Sequence, residues 1–293
     1  MISDTMNPVG TLYVVATPIG CLDDLTPRAA ETLKAADIIA AEDTRTSWPL
    51  LSKLGIDSKL ISYHKFNERS RVEELLDKLN NGCQIALISD AGTPCISDPG
   101  CILVEAAAAA GIKVVAVCGA CAAVSAASVS GFDLTSFAFY GFVPRETGEI
   151  KKLWSRMLND SIKTAIFYES PMRITATIAS LAETAPAARL CVCNDLTKLH
   201  ERIYRGSPTE VLAELEANPN HKKGEYTIVM ETPTVPAEEE EKPLPETLLF
   251  DYLMKNDCSI KEAVAAVAAK GVYSKKELFA AGVRLKALLN DEL

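Results

Sequence analysis

Short apolar segments alternate with helix-forming segments along the first 118 residues, and this order restricts the fold more than any other feature of the chain. Five segments have the length and the Val, Ile, Leu and Ala content of buried strands: 12–16, 38–41, 59–63, 84–89 and 113–117. Helices are predicted between them over about 26–36, 47–54, from 68 onward and from 99 onward. The alternation predicts a mostly parallel sheet with helices on both faces.

Two of these helices have clear starts. Thr26 followed by Pro27 is the pattern of an N-cap with proline at the first helical position. Pro99 is likewise expected in the first turn of the helix that follows the fourth strand.

The pattern changes after residue 118. Five further strands are predicted, at 137–142, 164–168, 190–193, 201–204 and 226–230. Helices are expected near 148–159, 172–183 and 208–217. Because only one short helix separates the last two strands, this part is predicted to be a second α/β domain with a mixed sheet.

The last sixty residues differ again in composition. A segment rich in glutamate and proline has the character of a linker, and three amphipathic helices are predicted after it at about 244–256, 259–269 and 275–289. The sequence therefore predicts an N-terminal α/β domain at 1–119, a C-terminal α/β domain at 120–232, a linker at 233–243 and a helical module at 244–293.

The charge is unevenly distributed. The whole chain carries a net charge of −9, which argues against indiscriminate binding of nucleic acid. Residues 255–286 nevertheless hold seven Lys and Arg against three Asp and Glu, a net charge of +4, and this window is a candidate RNA surface. The alternatives are a solvated helical face, or a module that packs on the other domains or a partner subunit through apolar residues: Ile260, Val264, Val267, Leu278 and Leu285.

The cysteine content and the termini bear on compartment and cofactors. Nine scattered cysteines do not resemble a disulfide framework, the chain start lacks a signal-type pattern, and no apolar run reaches the 18 to 20 residues of a membrane span. A cytoplasmic protein without a membrane partner is expected. Four cysteines, 118, 121, 191 and 193, lack the spacing of a zinc site, so no metal is expected. The absence of P-loop and dinucleotide motifs disfavours those nucleotide-binding classes.

The fourth strand runs directly into a turn dense in Gly, Pro and carboxylates. The turn contains Asp90, Gly92, Pro94 and Asp98. Ligands of open α/β sheets bind at the carboxyl ends of strands, so this turn is a candidate binding loop. An ordinary βα turn is the alternative, because the same residue types serve backbone geometry.

Seven motifs together resemble one known family. They are LYVVATPIG (12–20), AEDTR (41–45), SDAGTP (89–94), SDPG (97–100), FYESP (167–171), LTK (196–198) and KGE (223–225). In this combination the chain resembles the ribosomal RNA small subunit methyltransferase I family, a branch of the tetrapyrrole methylase superfamily that methylates the 2′-oxygen of a cytidine in 16S rRNA.

The resemblance implies an α/β, two-domain tetrapyrrole methylase-like (class III methyltransferase) fold with a small C-terminal helical module. It implies S-adenosylmethionine as the cofactor, 16S rRNA within the small ribosomal subunit as the partner, and a homodimer. Carried over by position, the cofactor contacts fall on Pro18, Gly20, Asp90, Ala91, Gly92, Thr93, Pro94, Ala120 and Ala122.

Polar residues that follow the second and third strands are candidates for aligning and deprotonating a ribose hydroxyl. The catalytic candidates are Glu42, Asp43, Arg45 and His64, with Asn67 and Glu68 next to the last of them. Each carboxylate could instead cap a helix or form a salt bridge, and His64 could be a surface residue.

The chain departs from the family's usual pattern at several positions: Cys21 for Asn, Cys118 and Ala120 for two prolines, Met172 for His, and Asn194-Asp195 for Arg-Glu. These departures put the geometry of the 118–122 loop in question. Two other functions therefore stay open, a methylase of a tetrapyrrole or another small acceptor and a non-catalytic RNA-binding or assembly protein.

Overall fold

The computed structural model describes residues 9–233, 243–256, 258–269 and 271–290. The chain divides into two compact units, 1–233 and 234–293. Residues 234–242 of the predicted linker lie outside the described residues. In the part that is described, no helix is long and apolar enough to cross a membrane.

The first sheet has five parallel strands in the order β3-β2-β4-β1-β5. They are β1 (Thr11–Val15), β2 (Ile38–Ala41), β3 (Lys59–Ser62), β4 (Ile85–Ile88) and β5 (Lys113–Val117). The connecting helices are α1 (Pro27–Ala35), α2 (Thr44–Lys53), α3 (Glu68–Asn80) and α4 (Cys101–Ala109). One face of the sheet packs against Leu33 and Leu51, and the other against Leu75, Leu79 and Leu103. The predicted parallel sheet with helices on both faces is confirmed.

Three local features differ from the sequence prediction. Helix α2 begins at Thr44 rather than 47, because the side chain of Asp43 accepts the backbone N–H of Arg45 and caps it. Helix α4 begins only at Cys101, since Gly100 adopts a φ of 138°, so Pro99 is not in its first turn. An additional helix, α5 (Ala122–Ser130), was not predicted; its small residues lack an apolar stripe of large side chains.

The second sheet is mixed, as predicted, with the order β6-β7-β10-β8-β9. Its strands are β6 (Phe137–Phe142), β7 (Thr164–Glu169), β8 (Arg189–Asn194), β9 (Arg202–Gly206) and β10 (Tyr226–Glu231). Strands β6 and β7 pair in parallel, whereas the other three pairs of this sheet are antiparallel. Helices α6 (Thr147–Asn159), α7 (Ile174–Thr184) and α8 (Pro208–Ala217) join them. Trp154 and Phe167 lie in its core with ring centroids 5.6 Å apart.

The second unit consists of α9 (Pro245–Lys255), α10 (Ile260–Ala268) and α11 (Lys275–Asn290). Its own core contains the apolar side chains that the sequence offered for packing elsewhere, with Val264, Val267 and Leu278 at most 2% exposed. The side chains of these three residues therefore pack within the unit itself.

Candidate functional site

The turn after β4 is held against the turn after β1 by a pair of backbone hydrogen bonds. The N–H of Thr17 donates to the carbonyl of Gly92 at 2.8 Å, and the N–H of Gly92 donates to the carbonyl of Thr17 at 3.1 Å. The hydroxyl of Thr93 also donates to the carbonyl of Ala120 at 2.9 Å. Because β4 and β1 are adjacent, these bonds join the carboxyl-end loops of β1, β4 and β5 into one wall.

A cavity of about 420 Å³ lies above this wall, a volume typical of small-molecule sites. Loops from both sheets line it. The lining residues are Ile19, Glu42, 90–93, 96–98, Cys121, Ala122, Phe142, 168–171 and 225–227. The cavity therefore occupies a cleft between the two sheets, at the carboxyl ends of the first sheet's strands.

At Gly92 the backbone itself forms part of the cavity wall. Its φ is +82°, a conformation that other residues rarely adopt. A Cβ at this position would lie 3.2 Å from Cγ2 of Ile19 and 3.6 Å from the carbonyl oxygen of Ala120. A side chain here would therefore press on Ile19, which lines the cavity, and would hold the backbone in a strained conformation.

Three carboxyl groups, those of Glu42, Asp90 and Asp98, lie on the same cavity and are all protonated more readily than usual. Burial raises the pKa of Asp98 to about 6, and the neighbouring Asp90 contributes to this rise. Burial also raises the pKa of Glu42, with added repulsion from Asp98 and Asp90. Burial is also the main cause of the raised pKa of Asp90. The cavity is thus an acidic site whose charges repel one another.

The second sheet contributes the opposite wall. The hydroxyl of Tyr168 accepts the backbone N–H of Ala123 at 3.2 Å, and burial raises the pKa of Tyr168 to about 12. Glu169 is 2% exposed and accepts hydrogen bonds from the hydroxyl of Thr177 at 2.6 Å and the N–H of Ser170 at 2.7 Å. Its carboxylate also lies 3.4 Å from the guanidinium of Arg173. Glu169 is therefore fully engaged in holding this wall.

Among the four sequence-predicted catalytic residues, only Glu42 lines the cavity. The Asp43 carboxylate receives the backbone N–H of Arg45 at 2.8 Å and pairs with its guanidinium at 2.7 Å, which lowers the pKa of Asp43 to about 2. The Arg45 side chain is 89% exposed. His64 lies in the turn before α3, where its Nδ1 accepts the N–H of Phe66 at 3.3 Å. The backbone N–H of Asp43 donates to Asp90 at 3.0 Å, so Asp43 supports the cavity from behind.

The predicted cofactor residues fall into three groups. Five line the cavity: Asp90, Ala91, Gly92, Thr93 and Ala122. Pro18 and Gly20 line a second, adjoining cavity of about 340 Å³. Pro94 and Ala120 lie beside the first cavity without lining it, although the carbonyl of Ala120 anchors Thr93. The structure thus brings most of the predicted set to one place.

Sequence reasoning missed several cavity residues. Tyr168 and Glu225 line the cavity but were not predicted as site residues, and Asp98 was named only as part of the candidate binding loop. The signal was present, because each belongs to one of the motifs that carried the family resemblance. The motifs did not reveal which of their polar side chains are held by hydrogen bonds and ion pairs within the protein, as Glu169 is. Nor did they reveal which are left to face a ligand, as Asp98 is.

The departures from the family's pattern are accommodated locally. The carbonyl of Cys118 accepts the hydroxyl of Thr26 at 3.4 Å, so the 118–122 loop is tied down at Cys118 as well as at Ala120. Asn194 donates to the carbonyl of Lys223 at 3.3 Å. Asp195 pairs with Lys198 at 2.9 Å. The loop therefore keeps specific contacts without the two prolines.

Comparisons with known proteins agree with this geometry. The sequence profile described as Tetrapyrrole (Corrin/Porphyrin) Methylases matches residues 11–212. The chain is 41% identical to the ribosomal RNA small subunit methyltransferase I of Pasteurella multocida, over 94% of this chain and 98% of that one. It is 44% identical to the protein of that name from Neisseria meningitidis, covering 75% of this chain and 76% of the other. A solved uroporphyrin-III C-methyltransferase from Thermus thermophilus, complexed with S-adenyl homocysteine, is similar in fold, with a TM-score of 0.53, 18% identity, and coverage of 75% of this chain and 97% of that one.

We expect Asp98→Asn to stabilise the protein at alkaline pH. Because the pKa of Asp98 is about 6 in the folded protein against an ordinary 3.8, its ionised form opposes folding. This cost is fully present above about pH 6 and is lost as the pH falls toward 4. After a discount for solvent screening, removing it should raise the melting temperature at pH 8 by about 2–4 °C, roughly 1 kcal/mol.

Differential scanning calorimetry at pH 8 and pH 4.5 tests this expectation, with Asp57→Asn, an exposed carboxylate outside the cavity, as control. The Asp98→Asn difference should shrink at the lower pH. An equal difference in melting temperature at both pH values would show that the ionised form of Asp98 does not destabilise the folded protein.

Proposed function

The chain belongs to the ribosomal RNA small subunit methyltransferase I family of tetrapyrrole methylases, and from this premise we propose that it transfers a methyl group from S-adenosylmethionine to small-subunit ribosomal RNA. The fold class that the resemblance predicted is confirmed by the family match. The observation in the site that carries the proposal is the acidic, backbone-lined cavity with Gly92 in its wall.

The residues of the cavity fit this cofactor. S-adenosylmethionine, when bound, supplies an electrophilic methyl group on a positively charged sulfur. Among the described residues, those that line the cavity include five carboxylates and no Lys, Arg or His. Two of these carboxylates are already engaged, Glu169 with Arg173 and Glu225 with Lys198, which leaves Glu42, Asp90 and Asp98 to face a ligand. A positively charged ligand is the kind that such a cavity favours.

Glu42 is our candidate for the group that accepts the proton of the acceptor hydroxyl. It lines the cavity, and its raised pKa makes it a better base than an ordinary carboxylate. Asp43, with its pKa near 2, is a poor base, and we assign it to orienting Arg45 and supporting Asp90. Arg45, largely exposed, is suited to an RNA phosphate. His64 is assigned to shaping the turn before α3.

The finer specificity is also proposed from the family. We propose that the acceptor is the 2′-oxygen of a cytidine in 16S rRNA, presented within the small ribosomal subunit, and that the protein works as a homodimer. A ribose hydroxyl is a weak nucleophile, so alignment against the methyl group and removal of the proton are both required. The cleft between the two sheets supplies a place for alignment, and Glu42 a place for the proton.

The direct test is transfer of labelled methyl from S-adenosylmethionine to small ribosomal subunits that lack the modification, followed by nucleoside analysis of the RNA. The proposed function predicts one 2′-O-methylcytidine per subunit. The matched variant is Gly92→Val, which should lower affinity for S-adenosylmethionine about tenfold or more, because its side chain meets Ile19 and Ala120. Calorimetric titration measures that affinity.

The control for Gly92→Val is Gly111→Val. Gly111 also has a positive φ, +72°, but no atom of the described residues lies within 4 Å of the added Cβ position. Both variants carry similar backbone strain, so both should lose thermal stability, whereas only Gly92→Val should lose cofactor affinity. Equal affinities in the two variants would remove the Gly92 turn from the cofactor site.

We also propose that the helical unit contributes to RNA binding. The basic residues of α10 and α11 include the adjacent and exposed Lys275 and Lys276 in the first turn of α11. Both side chains are exposed and can therefore reach phosphate.

Substituting Lys275→Ala and Lys276→Ala together should weaken binding to small subunits and reduce its salt dependence. For every phosphate that the variant no longer neutralises, the slope of log affinity against log salt concentration should become shallower by about 0.7–0.9. Filter binding at several salt concentrations measures the slope, and the double variant Lys151→Ala with Lys152→Ala, an adjacent exposed pair on α6, is the control. A slope unchanged by the α11 pair would remove this surface from the RNA interface.

A further inference from the structure

A second cavity adjoins the proposed cofactor cavity and is not explained by it. Its volume is about 340 Å³. It shares four lining residues with the first cavity: Ile19, Asp90, Ala91 and Glu225. Its other lining residues are Thr17, Pro18, Gly20, Leu22, Thr46, Ser47, Pro49, Leu50, Ile88, Ser89 and Lys198. The two cavities therefore meet at a common wall, where a group held in one could react with a group held in the other.

Ser47 gives independent evidence that the second cavity receives a polar ligand. The residue lines this cavity and is only 5% exposed. Its Oγ is buried and, within the part of the chain that the structure describes, has no hydrogen-bond partner. A buried hydroxyl without a partner costs free energy, so its presence next to a cavity is explained by a partner that arrives with a ligand.

The charged side chains of the two cavities differ in kind. Carboxylates supply the charged side chains of the first cavity, whereas the second cavity has, besides the shared Asp90 and Glu225, the ammonium of Lys198 and the first turns of α2. Lys198 lies 2.8 Å from Glu225 and 2.9 Å from Asp195, so it is held in place. The amino end of a helix carries partial positive charge. The first cavity therefore suits a cation, whereas the second also offers hydrogen-bond donors, at Lys198 and α2, to a neutral polar group such as a nucleoside.

The outer surface of α2 is suited to single-stranded nucleic acid. Trp48 is 63% exposed, and the Arg45 side chain, one turn earlier, is 89% exposed. Large aromatic and guanidinium groups stack on unpaired bases, which is the usual way in which proteins hold flanking nucleotides. Both residues belong to the helix whose residues 46, 47, 49 and 50 line the second cavity.

We propose that the second cavity holds the nucleoside that is methylated, with the hydroxyl of Ser47 hydrogen-bonded to it; this inference rests on the proposed function. In the reaction, the ribose oxygen forms a bond to the methyl carbon as the carbon–sulfur bond breaks and leaves its electron pair on sulfur. The hydroxyl proton passes to Glu42, a carboxylate that lines the first cavity. Ser47 is thus a residue that recognises substrate rather than cofactor.

The test compares Ser47→Ala with Ser52→Ala, an exposed serine of the same helix outside both cavities. Three quantities are measured on the full-length protein: the affinity for S-adenosylmethionine, kcat/KM with small ribosomal subunits, and the melting temperature. We expect Ser47→Ala to lower kcat/KM about three- to tenfold, the effect of removing one hydrogen bond. Its cofactor affinity should be unchanged, and its melting temperature equal or higher, because the change removes an unpartnered hydroxyl.

The other outcomes separate this inference from the proposed function. If the wild-type protein transfers no methyl group to small subunits, the proposed function fails and the inference falls with it. If the wild type is active and Ser47→Ala behaves as Ser52→Ala does, the proposed function stands and the acceptor site is overturned. A Ser47→Ala variant that loses affinity for S-adenosylmethionine would assign the second cavity to the cofactor and would also overturn the inference.

Discussion

The pair of backbone hydrogen bonds between Thr17 and Gly92 is the interaction on which the site depends. It fixes the turn after β4 against the turn after β1, and Thr93 extends the connection to the loop after β5. Three loops thereby become one wall that can approach a ligand with backbone atoms. This arrangement requires a positive φ at Gly92 and leaves little space for a side chain there, so sequence, backbone geometry and binding are linked at one residue.

The second constraint is electrostatic. Glu42, Asp90 and Asp98 are gathered where burial and mutual repulsion raise their pKa values, an arrangement that costs folding stability. Proteins retain such strained groups where function needs them. A cationic ligand relieves the repulsion. The same field is unsuited to RNA phosphates.

Much of the fold could be predicted, because strands such as β2 and β4 are unbroken apolar runs and Thr26 followed by Pro27 marks a helix start. Helix α5 was not predicted, because its alanine and serine residues form no periodic apolar stripe. It is stabilised by packing against the second sheet, a tertiary contact that a local sequence pattern does not show. In the site, the Gly92 turn was predictable from its composition. The difference between Glu42 and Asp43 was not, because adjacent carboxylates look alike until a guanidinium engages one of them.

The central claim is that carboxylate charge in the first cavity selects the sulfonium of S-adenosylmethionine. The direct measurement is the ratio of calorimetric affinities for S-adenosylmethionine and for S-adenosylhomocysteine, which lacks that charge, between pH 5 and pH 8. Since Asp98 ionises near pH 6, the ratio should rise with pH in favour of the charged compound, by about fivefold or more, as expected for about 1 kcal/mol between two charges about 4 Å apart in a water-like dielectric. A ratio that stays constant across this range would contradict the account.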